Sequence, residues 1–421
     1  MINASDNTLY HISNLNDESE RISYQMSTGE NQYLGSENSI LHSDLIELDD
    51  RLRVTEGLEL QIEKSQVMND SSDAAMAELK LLLDKISVDL LKAQNSGMER
   101  SDKLAVATNL EGIRENMLDL INTRVDSEYV FAGSDTTGES YTVSSDFEAT
   151  GEVIFEGDGF LREVAVQPGS YRDRGITGYD VSFYTSSKAN AGESFTFEEG
   201  ERIIDENGFE WKLNVGETQL QKYDYDGNIY HPLNTDATVG DVTAIDINTT
   251  LTTPAIEAWD GITPATEPAE PQAVRATYTI DNIGNVPSSK VLEAKHNYFD
   301  DLNITINALE GRVTNLDGTV AGEVSDEAVF DIVANSIGQT TKQFDATNIG
   351  HGELGGRNAV FNAAYEKLLT QETNYNVLIQ QTGGADTAKL SLELAALELT
   401  YQTLYSTISK MNDLTLLDYL R

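Results

Sequence analysis

The 421-residue chain has no cysteine, which excludes disulfide bonds, thiolate nucleophiles and zinc–sulfur sites. Basic residues are scarce as well: 28 Lys and Arg stand against 71 Asp and Glu, a formal net charge of −43. Nucleic acids and anionic membrane surfaces are bound through clusters of Lys and Arg, and the sequence has no such cluster. We therefore expect neither nucleic acid nor membrane as a partner.

Long apolar runs are also missing. The segment LKLLL at 79–83 is about the longest, far short of the roughly twenty residues that a membrane-spanning helix needs. Residues 1–21 show neither the cationic nor the apolar region of a secretory signal. These absences predict a soluble protein that, if it is exported, does not leave by a cleaved signal peptide.

Proline is confined to one stretch, with all seven residues between Pro168 and Pro287. Because proline breaks helices, two helical parts are expected on either side of a different middle part. In the middle, apolar and polar residues alternate as in β-strands, for example in REVAVQ at 162–167, and Asn207-Gly208 predicts a hairpin turn. The predicted fold is mainly α, with a small antiparallel β domain inserted in the middle.

Local patterns also predict where individual elements lie. The segment YDVSFY at 179–184 alternates in polarity and predicts a strand, and RATYTI at 275–280 predicts the last strand of the middle part. A helix is predicted from about Ser288 to Leu309, and the third helix of the N-terminal part is expected to close near Phe131.

Both ends of the chain carry apolar residues at alternating steps of three and four, the spacing of a helix that packs along another helix. Two unfinished stripes at the two ends should pair with each other, yet a pair of helices alone buries little apolar surface. We therefore predict assembly with other copies of the chain. The candidate assembly residues are Ile12, Leu15, Ile22, Met26, Leu390, Leu394, Leu397, Tyr401, Leu404, Ile408, Met411, Leu414 and Leu417.

Signals of catalysis or of ligand binding are weak. The five histidines, which are far apart in sequence, form no HExxH pair, and no GxSxG or SxxK motif is present. The segment YDYDGN at 223–228 resembles a calcium loop but lacks the glutamate and the spacing of an EF-hand, so a hairpin turn is favoured. We predict no enzyme activity, no cofactor and no metal site.

Four segments carry a resemblance to a known family: QMSTGENQYLG at 25–35, the stretch 155–183 that begins FEGDGF, HGELGGRN at 351–358, and the tail from Asp386 that ends TLLDYL. Together they resemble the flagellin superfamily, and within it the proteins of the hook–filament junction. The tail is the most similar part and the β insertion the least. One departure is GSENSILHSD at 35–44, which has no proline where the family shows a Ser-Asp-Asp-Pro segment.

The resemblance implies an elongated helical bundle in three domains. Residues 1–35 and 385–421 would form a terminal coiled-coil domain that lines the inner tube. Residues 36–140 and 288–384 would form a long-helix bundle, and residues 141–287 an outer β-rich domain.

The resemblance also implies a structural, non-enzymatic subunit of the extracellular bacterial flagellum, at the junction between hook and filament. Its partners would be other copies of itself, the first hook-associated protein, and flagellin. Export would use the flagellar type III system, with a dedicated export chaperone bound to the C-terminal helix. Two alternatives remain open at this point, namely flagellin itself and a secreted coiled-coil adhesin or enzyme with a binding β domain.

Overall fold

A computed structural model describes most of the chain, and its residues divide into two compact units. One unit comprises residues 1–60 and 364–421, and the other comprises residues 61–363. The described residues are 2–31, 38–95, 97–134, 136–144, 153–214, 216–224, 229–230, 244–247, 249–252, 276–281, 283, 291–314, 320–323 and 325–419.

Long helices form in the proline-free parts of the chain, as the composition predicts. The helices are α1 (Ile2–Thr28), α2 (Ser39–Ala93), α3 (Arg100–Ile121), α4 (Gly178–Ser182), α5 (Tyr298–Leu309), α6 (Asp326–Gly383) and α7 (Thr387–Tyr419). α1 ends at Gly29, whose φ of +75° is a left-handed conformation that glycine adopts without a Cβ clash. α6 begins after Ser325, whose hydroxyl accepts a hydrogen bond from the Ala328 amide at 3.2 Å.

The helical core of the second unit is formed by α2, α3, α5 and α6. Buried apolar residues recur on α2 at steps of three and four, and a matching stripe on α3 belongs to the same core. These stripes are covered within the chain. The buried residues of α2 are Met76, Leu79, Leu83, Ile86 and Leu90, and those of α3 include Val106, Leu110, Ile113 and Met117.

The strands lie between α3 and α6 in the sequence, and every described strand pairing is antiparallel. They are β1 (Arg124–Val125), β2 (Glu128–Tyr129), β3 (Tyr141–Val143), β4 (Val153–Phe155), β5 (Arg162–Gln167), β6 (Ser170–Arg174), β7 (Phe183–Asn190), β8 (Phe195–Glu198), β9 (Arg202–Asp205), β10 (Glu210–Leu213), β11 (Gln219–Lys222), β12 (Ala244–Asp246), β13 (Thr249–Thr252), β14 (Ala276–Ile280), β15 (Val291–Asn297), β16 (Arg312–Thr314) and β17 (Val320–Glu323).

The largest described sheet has the strand order β12-β11-β10-β9-β15-β7, and a second sheet has the order β13-β14-β8. The Asn207-Gly208 turn joins β9 to β10, as predicted, with Gly208 at a φ of +86°. Aromatic side chains fill the core shared by the two sheets, among them Phe195, Phe197, Trp211 and Tyr278. The β region is therefore an insertion with its own core, and the predicted fold class is confirmed.

A buried ion pair lies inside the larger sheet. The Lys222 ammonium is 3.3 Å from the carboxylate of Asp205, and both side chains are almost fully buried. The same ammonium lies 4.0 Å from the ring centre of Phe209. The indole N–H of Trp211 donates to Asp205 at 3.2 Å. The charges are thus compensated by each other and by hydrogen bonding, as burial requires.

Three element predictions were wrong in part. YDVSFY contains the one-turn helix α4 before β7 begins. Ser182 is buried beside Val181, and its hydroxyl donates to the Gly178 carbonyl four residues earlier at 3.2 Å, a contact of helical geometry. Residues 291–297 form β15 instead of the start of a helix, so the helix begins at Tyr298. α3 ends at Ile121, ten residues before the expected position at Phe131.

Candidate assembly surface on the terminal helices

The first and last helices of the chain pack on each other, and both belong to the first unit. A small apolar cluster forms their contact, with Ile22 1% exposed, Leu390 5% and Leu397 7%. Leu15, Leu394 and Tyr401 pack against it and are half-buried. The prediction that the two ends of the chain pair with each other is therefore confirmed.

Polar contacts fix the alignment of α1 against α7. The guanidinium of Arg21 lies 3.1 Å from Glu393 on α7 and 2.6 Å from Glu18 on its own helix. Hydrogen bonds to Glu18 and then to Glu393 raise the pKa of Arg21, although partial burial opposes them. At the other end of the contact, the Tyr401 hydroxyl donates to the Asn16 side chain at 2.6 Å. Because Glu393 and Tyr401 lie about two helical turns apart on α7, these two contacts specify one register.

Backbone hydrogen bonds join the segments that follow α1 and precede α7. The Ala385 amide donates to the Gly29 carbonyl at 2.8 Å, and the Asn31 amide donates to the Gly383 carbonyl at 2.6 Å. Asp386 immediately precedes α7, and its carboxylate accepts hydrogen bonds from the amides of Ala388 and Lys389 at 3.0 and 3.1 Å. Asp386 is therefore the N-cap of α7.

The packing of α6 onto α2 explains the glycine at the end of α6. A Cβ atom at Gly383 would lie 2.9 Å from the Leu45 side chain, closer than real contacts allow. The two helices approach closely here only because position 383 has no side chain.

The other predicted assembly residues occupy different environments. Ile12, Leu404 and Ile408 are half-buried, whereas Met26 is 42% exposed. Met411, Leu414 and Leu417 belong to α7, but their side chains lie outside the described part of the chain. The residues of the apolar cluster are thus covered within one chain. Contact of the candidate assembly residues with other copies of the chain stays a prediction.

α7 has a second apolar face that α1 does not cover. Leu392 is 73% exposed and Leu399 is 64% exposed. Each follows a buried leucine, Leu390 or Leu397, by two residues, a rotation of about 200° around a helix with 3.6 residues per turn. Leu392 and Leu399 therefore project from the side of α7 opposite the contact with α1.

This second face was not identified from the sequence, although its spacing is visible there. Ala388, Leu392, Ala395 and Leu399 follow one another at steps of four, three and four, and all four are exposed. Two alanines in the stripe kept its hydrophobicity low beside the stronger stripe that begins at Leu390. A search for two parallel registers on one helix would have found it.

Catalytic and metal-binding features are not seen in the described residues. His11 and His42 are exposed, His351 lies 2.7 Å from Asp73, and His296 is buried beside two carboxylates. His231 lies outside the described residues. No group of three or more potential metal ligands occurs where the structure describes the chain. None of the helices described has the length and apolar character of a membrane span.

The segment YDYDGN at 223–228 lies mostly outside the described residues. Tyr223, its first residue, and Ile229, which follows it, form an antiparallel bridge. The predicted turn at Asp226-Gly227 stays a prediction, and so does the preference for a turn over a calcium loop.

The fold defines a class of mainly helical chains whose two terminal helices pair and whose middle holds an antiparallel β insertion. No protein-family model and no curated protein matches the sequence. Among solved structures, the chain is similar to FlgL from Xanthomonas campestris, with a TM-score of 0.45 and 13% identity over 78% of this chain and 99% of that one.

Two structures from Legionella pneumophila are similar too. One is flagellar hook-associated protein 3, with a TM-score of 0.40 and 13% identity over 85% of this chain and 98% of that one. The other is the flagellar junction protein FlgL, with a TM-score of 0.39 and 14% identity over 82% of this chain and 99% of that one.

Proposed function

We propose that the chain is a structural, non-enzymatic subunit of the bacterial flagellum that forms the junction between hook and filament, as hook-associated protein 3 does. The observation that carries this proposal is the two-faced C-terminal helix. One apolar face of α7 is covered by α1 of the same chain, and the other, with Leu392 and Leu399, is exposed. A subunit that must interlock with its neighbours needs such a second face.

The exposed face fits a second copy of the chain. Ala388 and Ala395 alternate with the two leucines, and small residues between large ones let the side chains of a neighbouring helix enter the gaps. The assembly surface would join this face to the stripe predicted from the sequence, including Ile12, Met26, Leu404 and Ile408. Met411, Leu414 and Leu417 would extend it along α7.

The three domains keep their proposed roles. Residues 1–35 and 385–421 would line the inner tube, residues 36–140 and 288–384 would form the surrounding helical wall, and residues 141–287 would face the solvent. The net charge of −43 supports a surface that is extensively solvated.

The remaining partners follow from the same proposal. The first hook-associated protein would lie on one side of the ring and flagellin on the other, outside the cell. The subunit would be exported through the flagellar type III system, which the absence of cysteine suits. An export chaperone would bind the C-terminal helix before assembly and cover its apolar faces.

Deletion of residues 390–421 tests the role of the C-terminal helix. The second unit, residues 61–363, contains its own core and should stay folded. We expect cells that carry this deletion to form hooks without filaments. Normal filaments on these cells would contradict the proposal.

A double substitution tests the role of the exposed face in assembly without changing the stability of the monomer. Leu392→Asn together with Leu399→Asn should leave the helix pair intact and still prevent filament attachment. Tyr171→Asn is a suitable control, since Tyr171 is 54% exposed but lies in the β region. The amount of this protein per filament distinguishes a junction subunit from flagellin. A junction subunit forms a thin ring, whereas flagellin is present along the whole filament.

The β insertion provides the test of the adhesin or enzyme alternative. If purified chain bound a glycan tightly or converted a substrate through residues 141–287, a display function would be favoured. An adjacent gene for another hook-associated protein would instead support the junction role.

A further inference from the structure

A buried histidine on β15 is held between two carboxylates in the second unit. The Nε2 atom of His296 lies 2.9 Å from Asp301, and its Nδ1 atom lies 3.5 Å from Glu201. The side chains of His296, Glu201 and Asp301 are 8%, 2% and 3% exposed. Water therefore has little access to a site that holds three titratable groups.

The three residues come from three different parts of the fold. Glu201 immediately precedes β9, His296 is on β15, and Asp301 is in the first turn of α5. Asp301 also accepts hydrogen bonds from the Tyr184 hydroxyl of β7 and from the Gln339 amide of α6, both at 2.8 Å. The cluster thus connects the six-stranded sheet to two helices of the same unit.

The ring of His296 can satisfy both carboxylates in only one protonation state. A neutral imidazole has one N–H, so one ring nitrogen would direct a lone pair towards a carboxylate oxygen. The imidazolium has two N–H groups and can donate to both. Its positive charge also compensates the two buried negative charges, which would otherwise be costly.

Three cations lie on the elements that surround the cluster. The Lys342 ammonium of α6 lies 5.6 Å from the ring centre of Tyr184. Arg202 and Lys295, the neighbouring cations on β9 and β15, lie 3.5 Å from Glu210 and 3.0 Å from Glu293. Both carboxylates that contact the ring nitrogens of His296, those of Glu201 and Asp301, are negatively charged when ionised.

The hydrogen bonding of Glu201 agrees with this arrangement. Burial alone would raise the pKa of Glu201, but hydrogen bonds from His296, from the backbone amide of Glu198 and from Ser186 outweigh it and lower the pKa. Glu201 is thus held as the carboxylate that the imidazolium requires.

We propose that His296, Glu201 and Asp301 form a pH-dependent latch that holds the six-stranded sheet against α5 and α6. Below about pH 6.5, the ordinary pKa of histidine, His296 is charged in both the folded and the unfolded chain, and the latch contributes fully. As the pH rises, the unfolded chain loses this proton first. The stabilisation is lost once the pH rises above the pKa of His296 in the folded chain, where the folded chain releases the same proton.

This proposal does not depend on the flagellar function. If the chain is displayed outside the cell, however, the latch would make the attachment of the β region sensitive to the pH of the surroundings. Loss of the latch would loosen the sheet from the helices without affecting α1 and α7, which lie in the other unit.

The protonation state can be measured directly on the full chain labelled with ¹⁵N-histidine. The ring ¹⁵N shifts distinguish imidazolium from either neutral tautomer, and His296→Gln assigns the signal among the five histidines. We expect the His296 ring to remain imidazolium at about pH 7.5, a unit above the ordinary pKa. A neutral ring at that pH would overturn the proposal. If His296→Gln fails to fold, substitution of the other four histidines assigns the His296 signal by elimination.

The consequence for stability is tested by urea unfolding at about pH 6 and about pH 9. Over this interval the unfolding constant of the wild type should rise at least about tenfold more than that of His296→Gln, since each unit of difference in pKa is a factor of about ten. His351→Gln is the matched control, because His351 is half-buried beside only Asp73. Equal pH dependence in the wild type and His296→Gln would overturn the proposal.

Discussion

The two faces of α7 allow a test in which two leucines on one helix behave differently. Leu397 is 7% exposed and packs against α1, whereas Leu399 is 64% exposed. Both stand at interior positions of the same helix, so replacement by alanine changes helix propensity equally. Any difference between the two variants therefore reports packing.

The expected cost of Leu397→Ala follows from the groups removed. About three methylene equivalents at ~0.8 kcal/mol each give ~2.4 kcal/mol of lost transfer free energy. Buried Leu→Ala changes cost about 2–5 kcal/mol overall, the higher values arising where a cavity persists. A site between only two helices can collapse or admit water, so we expect about 2–3 kcal/mol. The opening constant of the helix pair would rise by about 30- to 150-fold.

Hydrogen exchange of the amides of α1 and α7 in the monomer measures this opening. Leu397→Ala should accelerate exchange in both helices, and Leu399→Ala should change it little. Amides of α3, which belongs to the other unit, provide an internal reference in each sample. Equal acceleration in the two variants, or acceleration confined to α7, would refute the assignment of faces.

Three further predictions concern the second unit. Gly350→Ala should destabilise the second unit by about 1–3 kcal/mol, because the new Cβ would lie 2.8 Å from the Asp180 carbonyl. Gly352→Ala should stabilise it by up to about 1 kcal/mol, because no atom lies within 4 Å of the new Cβ. Thermal melting of both variants measures these changes. Lys222→Met leaves Asp205 buried without its cation and should cost about 3–5 kcal/mol in urea unfolding, while Lys212→Met, at a half-exposed position, should cost less than about 1 kcal/mol. Burial raises the pKa of the Tyr298 hydroxyl, so the folded chain keeps a proton that the unfolded chain loses above about pH 10, and stability should fall as the pH rises past that value. Tyr298→Phe should reduce that alkaline loss at a cost of about 1 kcal/mol at neutral pH, since the 2.8 Å hydrogen bond to Thr340 is removed; a larger alkaline loss in the variant would contradict the assignment.

Local patterns of residues were enough to predict the features that depend on near neighbours in the chain. The absence of proline marked the helical parts, the three–four spacing marked their apolar stripes, and Asn207-Gly208 marked a hairpin. Such features are set within a few residues of one another, so they can be read without knowing the fold. The pairing of the two ends could also be predicted, since both carried unfinished stripes.

Which element lies against each surface depends instead on contacts between distant parts of the chain. The segment VLEAKHN at 291–297 is rich in good helix formers, but β7 and β9 pair with it from both sides and make it a strand. Likewise, the sequence shows two apolar registers on α7, and the position of α1 determines that the one with Leu390 and Leu397 is covered. His296, Glu201 and Asp301 come together because the sheet packs on α5, an arrangement that no local pattern in the sequence reveals.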